Sequence, residues 1–159
     1  MSHETGTQPL GVLSSVDLGP AQVRTLRVLE AYDLSPIRHR LQKKALLLPG
    51  LIDEALLEFR RYLALHALLD APVTIHSQAV DDVWHTSIMF TQRYAELCEL
   101  AFGRHIHHRP DRGHEYAVPH ASDGARRRFA EFQADYESYF GPIGPLWLVD
   151  RPWATSPRG

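Results

Sequence analysis

The sequence predicts an all-α protein, a single domain of four or five helices around one core. Apolar residues recur at steps of three and four along most of the chain, the spacing of helices with one buried face. Alternation of apolar and polar residues never lasts beyond four positions, so no half-buried strand is predicted. Size agrees: 159 residues, 44% hydrophobic and 23% charged, suit one compact core and leave little room for a second.

Residues 1–19 are small and polar, without periodicity, and are expected to form a flexible arm before a helical domain over residues 20–148. Gly19-Pro20 opens the first helix with proline at its first position, and Val23, Leu26, Leu29 and Tyr32 make its stripe. Ser35-Pro36 opens a second, with Ile37, Leu41 and Ala45 in line until Pro49-Gly50 stops it. Asp53 to Leu69 is the strongest helical stretch. Leu56, Phe59, Leu63 and His66 face inward there, and Glu54, Glu58, Arg60 and Arg61 take the polar side.

Val73 to His76 reads as an extended linker. One long helix is then expected from about Ala79 to Phe102, capped by Ser77, ended by Gly103, and buried along Trp84, Ile88, Thr91, Ala95, Cys98 and Phe102. A histidine-rich loop, Arg104 to Ala121, separates it from a last helix that Ser122 caps and Gly141-Pro142 ends. That helix buries Phe129, Phe132, Tyr136 and Tyr139. The stretch with Trp147 and Trp153 among Pro145, Pro152 and Pro157 is too proline-rich for helix, and residues 149–159 form a tail.

Composition narrows the function classes. A net charge of −2 argues against a general grip on nucleic acid or an anionic membrane, and neither is expected as a partner. No apolar run approaches the roughly 20 residues of a membrane span, and Met1 to Pro9 lacks a secretory pattern. The single cysteine, Cys98, excludes an internal disulfide and fits a reducing cytoplasm, the expected location. Sequences of the form G-x-x-x-x-G-K-[ST], G-x-S-x-G and H-E-x-x-H are absent.

Histidine is unusually frequent: ten in all, five of them between His105 and His120. In Asp81-Asp-Val-Trp-His85, positions four apart share a helical face, so Asp81 and His85 are neighbours. Such a pair can bind one ion, or the carboxylate can accept the imidazole N–H and fix its tautomer. The simpler alternative is that Asp81 and Asp82 favour the positive end of a helix dipole. His105-Ile-His107-His108 follows a glycine stop and can fold back over the helix it leaves; the alternative is a solvated loop. Core packing is expected for Cys98 and His66, and a solvated surface for Arg126 to Arg128.

Glu58-Phe-Arg-Arg-Tyr-Leu63, Val80-Asp-Asp-Val-Trp-His85, Phe90-Thr-Gln-Arg-Tyr94, Cys98, Phe102-Gly103 and Ile106-His-His-Arg-Pro110 stand in order. In this the chain resembles the glycine-rich domain-containing protein-like family, which has plant members and short bacterial ones. The resemblance spans roughly Leu51 to Pro110 and would single out Asp81, Trp84, His85, Cys98, Gly103 and His108. Family members often carry a second histidine where this chain has Ser87, and the glycine-rich segment of the long plant members is missing.

The expected function is a small helical metal-binding domain. Asp81, His85 and His108 are the leading ligands, His107 is a further donor, and zinc or iron is the metal. A metal-dependent enzyme acting on a small molecule is the extension of that reading. The alternative is a non-catalytic interaction or scaffold domain, in which Asp81, Trp84 and His85 form a buried knot that locks the helix to the histidine loop. Protein partner and substrate are left open.

Overall fold

Among the described residues, 8–107 and 123–149 of a computed structural model, there are seven α-helices and no strand. They are α1 (Pro20–Ala31), α2 (Ser35–Lys43), α3 (Ile52–Leu68), α4 (Gln78–Met89), α5 (Thr91–Phe102), α6 (Asp123–Phe140) and the short α7 (Pro145–Leu148). The all-α expectation holds. Seven replace the expected four or five because one long helix is broken in two and a short helix forms near the C-terminal end.

The long apolar helix α3 is the centre, packed against α1, α2 and α4, while α5 lies against α1. Leu26 and Leu29 of α1, Ile37 and Leu41 of α2, and Phe59 and Leu63 of α3 are all buried as the spacing predicts. On α2 the stripe stops early. Ala45 leaves the helix with a φ of 51° and is exposed, so Pro49-Gly50 does not set the end.

The largest departure is at Phe90, where φ −89° and ψ 68° interrupt the expected continuous helix. Just before it, Thr86 Oγ1 donates to the Asp82 carbonyl at 2.8 Å and Ser87 Oγ to the Val83 carbonyl at 2.8 Å. Hydroxyls that bond back one turn loosen and bend a helix. The break resets the register, so Thr91 and Ala95 are exposed while Tyr94, Leu97, Cys98 and Ala101 turn inward. Ser77 does cap α4, its Oγ accepting from Val80 N–H at 3.3 Å.

The arm and the C-terminal stretch are also more structured than expected. Leu10 and Val12 join the core, and Leu13 N–H donates to the Tyr139 carbonyl at 2.8 Å, so residues 8–13 are docked rather than loose. Pro145 starts α7 instead of preventing it, a permitted first-turn position, and Trp147 is completely buried. Ser122, Trp153 and the histidine loop from His108 onward lie outside the described residues.

Glu58 is the sharpest correction on α3. Expected on the polar side, it is 4% exposed and accepts from Trp147 Nε1 at 2.8 Å, Tyr136 Oη at 2.8 Å and Arg61 Nη1 at 3.1 Å. Side chains of α6 and α7 cover a face that local periodicity marks as solvent. The carboxylate is buried because these donors and the arginine charge compensate it.

Candidate metal centre

Asp81 and His85 lie on α4 one turn apart. His85 Nδ1 is 2.9 Å from the Asp81 backbone carbonyl and 3.3 Å from Asp81 Oδ1. Both oxygens are acceptors, which places the ring proton on Nδ1 and the lone pair of the neutral imidazole on Nε2. Asp81 is buried at 5% exposure, whereas the His85 side chain is 55% exposed. A buried carboxylate thus orients a largely accessible ring. Beside them, Asp82 accepts from Gln78 Nε2 at 2.9 Å, and burial raises its pKa from the ordinary value.

Trp84 turns the other way, into the core. Its Nε1 donates to Tyr94 Oη at 2.9 Å, and that hydroxyl donates to the carbonyl of Ile106. Gly103, with φ 67°, takes the left-handed conformation that ends α5 and reverses the chain. The start of the histidine loop consequently folds back over α5, with Ile106 buried and the His105 ring 5.2 Å from Tyr94. His105 and His107 are exposed, their rings 4.7 Å apart. Burial pushes the Tyr94 pKa well above the usual tyrosine value, so the hydroxyl stays a donor.

His66 is a satisfied core histidine. Its Nδ1 is 3.1 Å from the Tyr62 carbonyl, its ring is edge-on to Tyr62 at 5.1 Å, and burial lowers its pKa. Cys98 is 1% exposed, and burial raises its thiol pKa, as suits a core residue rather than a thiolate ligand. Arg126, Arg127 and Arg128 are exposed. Ser87, at the position where the resembling family often has histidine, is buried and spends its hydroxyl on the Val83 carbonyl. That position faces away from His85.

His76 is a residue the sequence reading missed. Assigned to a linker, it is 3% exposed, with its ring 4.9 Å from Phe132 and 5.5 Å from Phe129. It stands immediately before the Ser77 cap of α4. Its sequence signal is the neighbouring Ile75, an apolar residue between polar Thr74 and His76 that is also buried.

Of the predicted ligands, Asp81 and His85 come together. Among the described residues no three histidine, cysteine, aspartate or glutamate side chains group closely enough to hold a metal, so His107 does not join that pair as a third donor. His108 lies outside the described residues, as do His114 and His120.

A family model described as UCP032817-like matches residues 24–138, which include most of α1, all of α2 through α5 and most of α6. No curated protein and no solved structure matches the chain.

Proposed function

The chain belongs to the UCP032817-like family, and from that premise we propose that it is a helical metal-binding domain built on His85. The observation that carries this reading is the double acceptor on one nitrogen. The Asp81 carbonyl at 2.9 Å and its carboxylate at 3.3 Å both address His85 Nδ1, which leaves Nε2 as the ligating atom. In this reading Asp81 orients the ligand, His108 is the next donor, and another residue of the histidine loop, not His107, completes the set. Zinc and iron(II) both accept imidazole with carboxylate support. The metal would supply Lewis acidity toward an oxygen of a small-molecule substrate. The shared motifs make the glycine-rich domain-containing protein-like family the finer assignment.

A scaffold role is the second reading, and the Trp84–Tyr94–Ile106 chain favours it, since that chain ties the loop to both helices. The His85 side chain is more than half exposed, and the buried hydrogen bonds of that tie run through Trp84 and Tyr94.

Elemental analysis of the full chain, purified without a histidine tag, separates the two. The metal reading expects one transition metal per chain and its loss in both His85→Ala and His108→Ala. Full metal content in both variants, or a folded protein that neither contains nor takes up zinc or iron(II), refutes it. The scaffold reading expects stability to be unchanged by metal or chelator.

A further inference from the structure

A cleft of about 710 Å³ opens between the turn at Pro9–Gly11, the α1–α2 junction and one side of α3. Its volume is in the range of small-molecule sites. None of its lining residues belongs to the histidine cluster. Leu34, Leu56 and Leu57 supply apolar wall, and three arginines and three carboxylates supply charge.

The charges are not evenly matched. Asp53 is paired with Arg38 at the rim. Glu30 accepts from Leu10 N–H at 2.7 Å, and Asp33 accepts from Ser35 and pairs with Arg93 at 3.4 Å. All three cleft carboxylates are therefore already engaged. Arg60 is different: its Nη1 donates to the carbonyls of Leu29 and Tyr32 at the end of α1, and no carboxylate among the described residues lies within ion-pair distance. Its Nε and Nη2 donors make no bond to the described protein and are not sealed from solvent.

Arg61, on the adjoining position, is held by Leu10 O at 2.9 Å through Nε and by Glu58 through Nη1. Its Nη2 runs beside Gly11, where an added Cβ would approach to 2.7 Å. Gly11 also has φ 76°, so glycine serves both the turn and the room for the guanidinium. Two anchored guanidinium groups with spare donors, beside a leucine wall, match the planar geometry of carboxylate or phosphate.

We infer that this cleft binds a small organic anion, a carboxylate or phosphate carried on an apolar body, through Arg60 and Arg61. Burial draws the Arg60 pKa below the ordinary arginine value, while Asp33 and Glu30 act on it from a distance in the opposite sense. A bound anion would add a carboxylate or phosphate in direct contact with its spare donors.

Isothermal titration calorimetry on the full chain tests this with benzoate, phenyl phosphate and, as a cation of similar body, benzylammonium. One or both anions should bind with a Kd of about 1 mM or tighter, and benzylammonium should not. Which anion binds identifies the headgroup. Arg60→Gln should weaken binding roughly 10- to 100-fold. Leu57→Glu, at a partly exposed wall position that tolerates a polar side chain, places a competing carboxylate in the cleft and should abolish binding with the helical circular dichroism unchanged. Should Arg60→Gln unfold, Leu57→Glu alone decides. No heat with either anion, equal binding of benzylammonium, or anion binding that survives Leu57→Glu would overturn the inference.

Discussion

Replacing Glu58 with glutamine changes one atom in a buried network and should cost the protein a large share of its stability. The carboxylate of Glu58 receives Trp147 Nε1 on Oε2, Arg61 Nη1 on Oε1, and the Tyr136 hydroxyl on both oxygens. An amide offers one acceptor and one donor. If its oxygen faces Arg61, its NH2 confronts the Trp147 N–H; if flipped, it confronts the arginine. Either way one buried donor loses its acceptor, at about 1–3 kcal/mol, and Arg61 loses its counter-charge. Breaking one partner of a buried ion pair costs about 3–5 kcal/mol, and Arg61 is only partly covered, so about 3 kcal/mol is expected. For a chain of this length that lowers Tm by roughly 10 °C. Urea unfolding should show a lower midpoint with the slope unchanged. A loss below about 1 kcal/mol would refute the network's role. Trp147→Phe provides the internal check. It removes the conflicting donor, so the double variant should be less destabilised than the two single losses added together.

The remaining predictions concern single side chains. In Asp81→Asn the backbone carbonyl still holds His85 Nδ1, so zinc affinity, measured by chelator competition, should fall only about tenfold, the low end for an orienting carboxylate; a loss equal to that of His85→Ala would make Asp81 a ligand itself. His66 has a pKa lowered chiefly by burial, so its neutral form suits the fold. Its contribution is complete above the unfolded value of about 6.5 and is lost as pH falls below it. The difference in urea midpoint between the parent and His66→Gln should shrink from pH 7.5 toward about pH 5, and a difference independent of pH would contradict the assignment. Cys98 should react slowly with thiol reagents until the protein unfolds, because burial both hides it and raises its pKa; fast labelling of the native chain would place it at the surface.

The fold was legible where the information is local. Spacing located α1, α3 and α6, and proline and glycine marked several of their ends, because one buried face and a stop residue are properties of neighbouring positions. The Asp81–His85 adjacency was legible for the same reason. What escaped depended on distant partners or on competition within a turn. Glu58 has the spacing of a solvent-facing residue, and only Tyr136 and Trp147, far along the chain, turn its surroundings into an interior. The break at Phe90 involves no proline or glycine; it comes with two hydroxyls bonding back along the helix, and it moved Tyr94 rather than Ala95 against Trp84.

The two motifs on α3 and α4 differ in what the fold consumes. In Glu58 to Leu63, Phe59 and Leu63 fill the core, Glu58 anchors α6 and α7, Arg60 holds the end of α1, and Tyr62 donates to the Val73 carbonyl. That motif is explained by scaffolding except for the spare arginine donors in the cleft. In Val80 to His85, Val80, Val83 and Trp84 are likewise consumed by packing. His85 differs from them in exposure: more than half of its side chain is accessible. An exposed surface histidine does not need a buried carboxylate for packing, and burying Asp81 carries a desolvation cost. The carbonyl and carboxylate of Asp81 both lie against His85 Nδ1, which favours a lone pair on Nε2. Orientation matters only to something that the ring engages, which is why His85 is the first position at which metal binding should be tested.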